Sequence, residues 1–234
     1  MLKVRNLEVE ILNKKILDNI SFAVNSWDIF AILGHNGSWK TTLLKAIMGL
    51  VPAKWEIIFK NTNILDLPVE ERAKLGIAYI MQEVPEYTGI SVLLYVKNIL
   101  NLVGKYDEEK IKYYFDLFWL DWEVYKNRNF DSHLSGGEKK KIEIITTFLM
   151  DKDLYLLDEI EASLDATSRK VLIGIIKSLS KKWKTFLIVS HNHDIISCAE
   201  NWILLCSGKL EKIWKVVDLL EKYDSSCISC PKNI

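Results

Sequence analysis

Short apolar runs alternate with turns along the first third of the chain. The runs are LEVEIL, ISFAV, DIFAIL, EIIF and IAYIM, and their β-branched and aromatic content is typical of strands. The segment TTLLKAIMGL, between DIFAIL and EIIF, has the spacing of a helix. Strands are predicted again at DLYLLD, TFLIVSH, ILLCSGKL and EKIWKVV, with a helix over SRKVLIGIIKSLSKK between the first two. This alternation predicts an α/β fold whose central strands are mainly parallel.

Helical spacing replaces the strand pattern from about Ser91 to Leu149. Apolar residues in VLLYVKNILNLV and EEKIKYYFDLF recur at helical intervals, and strand signals are few. This stretch predicts a helical insert in the α/β fold. The last residues, KYDSSCISCPKNI, are polar without any period and predict a loose tail.

Charge and composition narrow the functional classes. Lys+Arg and Asp+Glu number 31 each, so no net basic field attracts the chain to nucleic acid or to an anionic membrane, and we expect neither partner. Charges interrupt the apolar N-terminus from Lys3 onward, and nowhere do about 18 apolar residues run together. We therefore expect no signal peptide and no membrane insertion.

Cysteine usage fits a reducing compartment. Four cysteines in 234 residues are too few for a disulfide framework, so we expect the cytoplasm. Cys227 and Cys230 lie in the predicted tail, and two thiolates do not complete a tetrahedral metal site, which needs four ligands. We interpret them as reduced thiols.

A phosphate-binding loop is predicted where the segment GHNGSWKTT joins the strand DIFAIL to the helix TTLLKAIMGL. Glycines let successive backbone N–H groups surround phosphate oxygens, and the helix N-terminus adds a favourable dipole. Lys40 would reach the β and γ phosphates, and Thr41 would bind magnesium. A chance glycine-rich turn would not also carry the flanking strand and helix. The residues of this candidate nucleotide site are Gly34, His35, Asn36, Gly37, Ser38, Trp39, Lys40, Thr41 and Thr42.

Two carboxylates end the apolar strand LYLLDE. Asp158 and Glu159 therefore lie at the C-terminal edge of the sheet, where open α/β folds bind ligands. Asp158 suits a magnesium shell, and Glu159 suits activation of an attacking water. Acidic residues at strand ends are common, so the functional interpretation of this pair depends on the predicted phosphate-binding loop.

The segment LSGGE precedes the helix that begins KKKIEIITTFLM. Its hydroxyl and amide groups would face an anion from a helix N-terminus. As a bare pattern it is equally an N-cap followed by a turn. Its place one helix before Asp158 favours the functional interpretation. The residues are Ser135, Gly136, Gly137 and Glu138.

Together these segments resemble the ABC family of ATPases over nearly the whole chain. Gln82, after IAYIM, matches that family's Q-loop glutamine, and Ser163, Leu164 and Asp165 match its D-loop. His191, after TFLIVS, matches its switch histidine, which senses the γ-phosphate. LSGGE matches its signature, so the resemblance implies that Ser135 to Glu138 contact the ATP of a second copy in a transient homodimer that forms on ATP binding.

The resemblance also implies a fold and a division of roles. The fold is a P-loop nucleotide-binding domain over 1–220, with a mainly parallel central sheet, an antiparallel β subdomain, a helical subdomain inserted at about 83–149, and a short C-terminal tail over 221–234. The cofactors are ATP and Mg²⁺. The implied metal ligands are Thr41, Gln82 and Asp158, and the implied catalytic residues are Lys40, Glu159 and His191.

Within the family, the chain most resembles the ATPase subunit of the SUF iron-sulfur cluster assembly system. The signature continues as SGGEKKK, where transporter subunits usually have SGGQ followed by Arg, and QEVPEYTGIS looks like the SUF proline- and glutamate-containing segment. This resemblance implies soluble scaffold proteins as partners. The alternatives are an ATPase subunit of a membrane transporter and a non-catalytic, degenerate subunit.

The tryptophan content is abnormal. The chain has 8 Trp and only 10 Gly, and if all eight were glycine the glycine content would be about 8%, near the ordinary value of about 7%. Trp39 stands beside Lys40 where the family has glycine, and an indole there would obstruct the approach of backbone to phosphate. Five more fall where the family usually carries turn glycines: Trp27, Trp55, Trp119, Trp183 and Trp214.

Repeated replacement of turn glycines suggests one cause. We hypothesise a decoding artefact, because some bacteria read as glycine a codon that other tables treat as a stop or as tryptophan. The natural protein would then have Gly at most or all eight Trp positions. If Trp39 is genuine, the degenerate alternative applies.

Overall fold

The structure is a computed structural model that describes residues 1–131 and 133–215. The strands in these ranges are β1 Leu2–Ile11, β2 Lys14–Val24, β3 Ile29–Leu33, β4 Lys54–Phe59, β5 Thr62–Asn63, β6 Ile77–Ile80, β7 Leu154–Asp158, β8 Thr185–Val189, β9 Asn201–Cys206 and β10 Lys209–Lys215. The helices are α1 Lys40–Met48, α2 Val69–Lys74, α3 Val92–Leu102, α4 Glu108–Leu117, α5 Trp122–Tyr125, α6 Gly136–Leu149, α7 Ala166–Ser180 and α8 His193–Ile196.

The chain forms two compact units. The first contains Met1–Tyr79, Asp153–Asp158 and the described part of Lys177–Ile234, and the second contains Ile80–Lys152 and Glu159–Ile176. The helical insert expected at about 83–149 falls within the second unit. No helix in the described ranges has both the length and the apolar character that crossing a bilayer requires.

A six-stranded sheet has the order β10-β9-β3-β8-β7-β6. β3 runs parallel to β8 and β9, and β7 runs parallel to β8, whereas β10 is antiparallel to β9. Every residue of β3, β7 and β8 is buried, as continuous apolar runs such as IFAIL require of parallel strands covered on both faces. The predicted mainly parallel α/β sheet is confirmed.

The first unit also contains an antiparallel sheet of order β2-β1-β4-β5. β1 and β2 pair from Leu2 opposite Val24 to Ile11 opposite Lys14. Buried and exposed residues roughly alternate along both strands, so their apolar faces join one core with α1 and the parallel sheet. This is the antiparallel subdomain that the family resemblance implies.

Helices dominate the second unit. α3 and α4 pack against α6, and aromatic rings fill the spaces between chain segments. Tyr95 stacks on Phe130 with ring centroids 4.4 Å apart, and Phe115 meets Trp122 edge-on at 4.9 Å. Side-chain caps fix where these helices begin, for example Ser91, which accepts the backbone N–H of Leu94 before α3.

The structure differs from the sequence prediction at short elements. β5, α2 and α8 were not predicted, because two to six residues give too little periodicity to recognise. ILLCSGKL is not one strand, since Ser207 and Gly208 form a turn that separates β9 from β10. Residues 221–234, including Cys227 and Cys230, lie outside the described residues.

Candidate functional site

The phosphate loop joins β3 to α1, as predicted. Gly34 is required there, because a Cβ at this position would lie 2.3 Å from the carbonyl oxygen of Leu205. His35, Asn36 and Gly37 are exposed, whereas Ser38 is buried and its N–H donates to the carbonyl of His35 at 3.0 Å. The loop therefore presents its tip to solvent while its base is packed.

Lys40 is folded into the base of this loop. Its ammonium donates to the carbonyl oxygens of Gly34 at 2.8 Å and His35 at 3.0 Å, and the residue is only 5% exposed. Thr41 and Thr42 follow in the first turn of α1. A cation at a helix N-terminus beside clustered backbone N–H groups attracts anions, so the first unit has the features of a phosphate site.

Thr41 and Asp158 meet in the first unit. The Thr41 hydroxyl donates to Asp158 Oδ1 at 3.0 Å, and the Tyr79 hydroxyl donates to Asp158 Oδ2 at 2.9 Å. The Asp158 carboxylate is fully buried at the end of β7. A hydroxyl and a carboxylate oxygen in contact are donors that Mg²⁺ prefers, so these two residues fit the ion that the sequence predicts.

Tyr79 was missed by sequence reasoning. It lies in β6, and only its hydroxyl in the otherwise apolar run IAYI could have drawn attention to it. The bond to Asp158 holds one carboxylate oxygen in a fixed orientation. We infer that Tyr79 supports the candidate magnesium site without being a ligand.

Gln82 and Glu159 meet in the second unit. Gln82 Nε2 donates to Glu159 Oε2 at 3.1 Å. Glu159 is half-buried and has a positive φ of 46°, a backbone conformation that is uncommon for a residue other than glycine. Backbone strain of this kind concentrates at functional sites, so the positive φ supports Glu159 as a candidate functional residue.

The signature residues begin α6 with a capping box. The Ser135 hydroxyl accepts the Glu138 N–H at 3.2 Å, and the Glu138 carboxylate accepts the Ser135 N–H at 2.7 Å. Burial raises the pKa of Glu138, but hydrogen bonds from Tyr125 and Ser135 outweigh it, so the net pKa is lowered. Both polar side chains therefore stabilise the helix start, and the glycines Gly136 and Gly137 occupy its first turn.

Three lysines follow Glu138, and each has a different partner. Lys139 pairs with Glu86 at 2.6 Å, and Lys141 pairs with Asp165 at 3.2 Å. Lys140 is buried and donates to the Met81 carbonyl at 2.5 Å. The three lysines therefore connect α6 to two other segments of the second unit. They do not form a solvated charged face.

The D-loop lies close to the signature. A Cβ on Gly137 would come within 2.9 Å of the Ser163 carbonyl oxygen, so the two backbones are in direct contact. Asp165 accepts both the N–H and the hydroxyl of Ser168 at 2.8 Å and thereby caps α7. These bonds, with a smaller effect of Lys141, hold the pKa of Asp165 well below its usual range.

His191 is exposed and lies two residues after β8 in the first unit. Ser190 before it is buried, and the Ser190 hydroxyl accepts the N–H of Asn192 at 2.9 Å, which shapes the turn that carries the histidine. The predicted position after a strand of the parallel sheet is confirmed. Its role as a γ-phosphate sensor stays a prediction.

Comparison with known proteins identifies the family. The family described as ABC transporter matches residues 17–162. An uncharacterized ABC transporter ATP-binding protein of Methanocaldococcus jannaschii is 34% identical over 241 residues, which covers 100% of this chain and 96% of that protein. A probable ATP-dependent transporter of Cyanophora paradoxa is 31% identical over 233 residues, which covers 90% of this chain and 89% of that protein.

Solved structures agree on the fold. An ATP-binding subunit of an ABC transporter superimposes with a TM-score of 0.84 at 22% identity, covering 97% of this chain and 93% of that one. A dimeric ATP-binding cassette in a post-hydrolysis state, bound to ADP and Pi, gives a TM-score of 0.81 at 23% identity, covering 92% of this chain and 99% of that one. By the family match and the sequence relatives, with the fold in agreement, this chain belongs to the ABC transporter family and is an ABC-type ATPase domain.

Proposed function

We propose that the chain hydrolyses ATP to ADP and phosphate with Mg²⁺. The observation that carries this proposal is the contact of Thr41 with the buried Asp158 beside a loop whose base holds Lys40. Lys40 and the loop N–H groups bind the phosphates. Thr41 and Asp158 hold the metal, which neutralises charge on the phosphate oxygens. Gln82 is a further proposed ligand.

Glu159 is proposed as the general base. It follows Asp158 directly, and its carboxylate is oriented by the Gln82 amide. His191 senses the γ-phosphate, as the family resemblance implies. Ser135 to Glu138 bind the nucleotide of a second copy, so the active form is a transient homodimer in the cytoplasm; dimeric cassettes among the structural neighbours support this arrangement.

The test is steady-state ATP hydrolysis by the Trp39→Gly chain with and without Mg²⁺. We expect turnover that needs the metal and that Lys40→Ala abolishes, because the lysine charge binds the phosphates. A matched control is Lys74→Ala, which removes an exposed cation in the first unit and leaves turnover unchanged. Equal activity in the Lys40 variant would refute the proposed site.

We further propose that the ATPase drives iron-sulfur cluster assembly on a soluble SUF-type scaffold. The two segments that carry the SUF resemblance contact each other in the second unit through Lys139 and Glu86. Lys140 also bonds the carbonyl of Met81, the residue immediately before the second segment. The unusual signature and the unusual Q-loop segment therefore meet in the fold. Two segments that together recognise one partner would have to meet in this way.

A second candidate is an ATPase subunit of a membrane transporter. The names of the relatives favour it, since those of M. jannaschii and Streptococcus pyogenes are called ABC transporter ATP-binding proteins. Purification of the tagged chain from its own cells, with identification of the bound proteins, separates the two. Soluble scaffold subunits support the first candidate, and a multi-span membrane protein supports the second.

A further inference from the structure

The eight tryptophans fall into two groups by backbone conformation. Five have a left-handed backbone with positive φ: Trp27 at 73°, Trp39 at 75°, Trp55 at 82°, Trp119 at 55° and Trp183 at 69°. Four of these five are 55–70% exposed, and Trp39 is half-buried. Trp122 and Trp202 are 1% and 2% exposed, and Trp214 lies in β10 opposite Trp202. The turn glycine that the family resemblance implies at 214 is therefore wrong, whereas the strand predicted over EKIWKVV does contain Trp214.

Positive φ is abnormal for a bulky side chain, whereas glycine adopts it freely. The chain has 8 Phe and 9 Tyr, and none of those in the described ranges has a positive φ. Among the other non-glycine residues with positive φ, four are Asn and one is Asp, the types that tolerate it best. Among the aromatic residues of the described ranges, tryptophan alone therefore departs from the rule.

Helix ends give a direct comparison within the chain. After α1 and α3 the turn residue is Gly49 or Gly104, whose N–H donates to the carbonyl three residues earlier, and the next N–H donates five residues back. After α4 and α7 the same two bonds form with Trp119 and Trp183 at the turn position. This is the helix-terminating motif that glycine normally occupies.

The other three left-handed tryptophans also occupy positions where the backbone has a special role. Trp39 is the residue before α1 in the phosphate loop, with no side-chain cap bond. At Trp55 the register between β1 and β4 shifts, since Arg5 pairs with Glu56 but Glu8 pairs with Lys54. The backbone N–H of Trp27 donates to the Thr185 hydroxyl, and its carbonyl accepts from the Ser180 hydroxyl, both at 2.8 Å.

The buried tryptophans behave as true tryptophans. Trp122 packs edge-on against Phe115, and its indole N–H donates to Glu108 at 3.2 Å. Trp202 is in the fully buried part of β9. Glycine at either position would leave a large cavity. The hypothesis that all eight positions are glycine is therefore too broad.

We propose that the protein made in its own cell has glycine at 27, 39, 55, 119 and 183 and tryptophan at 122, 202 and 214. One codon, which that cell reads as glycine, would encode the five left-handed positions. The ordinary tryptophan codon would encode the other three. With glycine at 39 the phosphate loop regains a backbone without a side chain next to Lys40, as close approach to phosphate requires.

The coding DNA and the native protein test this directly. The five positions are expected to share one codon that differs from the codon at the other three, and peptides of the native protein are expected to show glycine by mass spectrometry at the five only. Tryptophan in a native peptide at any of the five, or one codon at all eight, overturns the proposal.

Recombinant chains give a second test. The chain with all five Trp→Gly substitutions, called the five-glycine chain, is expected to have a higher Tm than the chain with eight tryptophans, because five left-handed turns lose their strain. Adding Trp122→Gly or Trp202→Gly is expected to lower the Tm. A lower Tm of the five-glycine chain, or no loss on the added substitutions, contradicts the assignment.

Lys140 supports an independent inference. It is 1% exposed, and its ammonium donates to Glu143 at 2.8 Å and to the Met81 carbonyl at 2.5 Å. Met81 immediately precedes Gln82, whose amide bonds Glu159. We infer that Lys140 is a positioning residue, which fixes the backbone before Gln82 and through it the Glu159 carboxylate. This inference rests on the proposed ATPase function.

The test compares variants of the five-glycine chain. Lys140→Met is expected to lower kcat about tenfold, since misplacement of a reacting group by a fraction of an ångström has effects of that order. It also leaves Glu143 buried without its cation, which lowers the Tm. The double variant Lys140→Met with Glu143→Leu removes both charges, so the Tm is expected to recover while kcat stays low.

Recovery of kcat together with the Tm would show that Lys140 is only structural, and unchanged kcat in Lys140→Met would refute the inference outright. Glu143→Gln serves as the matched control, because it retains the bond from Lys140 to Met81 and is expected to keep kcat. An inactive five-glycine chain would instead contradict the proposed ATPase function, so the two failures are distinguishable.

Discussion

The side-chain amide of Gln82 donates a hydrogen bond to the carboxylate of Glu159 at 3.1 Å, and Glu159 holds this position with a φ of 46°. A left-handed glutamate is costly unless surrounding contacts maintain it. The amide occupies one carboxylate oxygen, so the side chain is already oriented for interaction with a water. This arrangement supports Glu159 as the base of the proposed hydrolysis.

Glu159→Gln in the five-glycine chain is expected to reduce ATP turnover at least about 100-fold, because an amide cannot accept a proton from water at neutral pH. ATP binding is expected to persist, since the replacement has the same shape. Turnover and equilibrium binding of a labelled nucleotide check this. The matched control, Glu123→Gln, changes an exposed carboxylate of the second unit and should keep full turnover.

Asp158→Asn is expected to remove the metal dependence of nucleotide binding. In the five-glycine chain ATP with Mg²⁺ should raise the Tm more than ATP with a chelator, because ligand binding stabilises the folded state. Without the carboxylate this difference should vanish. Asp66→Asn, an exposed change in the same unit, should retain it. A metal-dependent shift in the Asp158 variant would place the ion elsewhere.

Asp165→Ala is expected to destabilise the protein by about 1 kcal/mol at pH 7, the usual loss for a helix cap. The folded pKa of Asp165 is depressed by the bonds from Ser168, so the stabilisation is present above the unfolded pKa of about 3.9 and is lost as the pH falls toward the folded value. Urea unfolding at pH 7 and at about pH 3, below the unfolded pKa, should show the difference between variant and parent shrinking. A constant difference would argue against a charged cap.

Arg72→Leu is expected to destabilise the first unit by about 3 kcal/mol or more. The buried guanidinium donates to four carbonyls, those of Ala46, Ile47, Leu65 and Leu67, and their loss leaves buried acceptors without partners. Urea unfolding measures the effect. Lys74→Ala, which breaks only an exposed ion pair on the same helix, should have little effect.

Features encoded within one segment could be predicted from the sequence. Continuous apolar runs identified β3, β7 and β8, and glycines with Lys40 and Thr41 identified the loop between β3 and α1. The family resemblance also led us to expect turn glycines at five positions that the structure shows to be left-handed: Trp27, Trp39, Trp55, Trp119 and Trp183. Each of these features depends on residues that are close together in the sequence.

Features that depend on residues distant in sequence could not be predicted. Arg72 is 25 and 26 residues from the two α1 carbonyls that it binds, and Lys140 is 59 residues from Met81. A lysine in a run of charges predicts a solvated face, and only tertiary packing buries it. Tyr79 likewise gains its role from its hydrogen bond to Asp158, which is 79 residues away in the sequence.

The two signature glycines are not equivalent, although they are neighbours. A side chain at Gly136 would meet open space, whereas one at Gly137 would strike the Ser163 carbonyl. Saturation mutagenesis across the signature would therefore separate two kinds of sensitivity. Loss of activity at 137 reports on the internal fit of the cassette, while loss at 136 in a stably folded variant would support the proposed contact of that surface with a second copy.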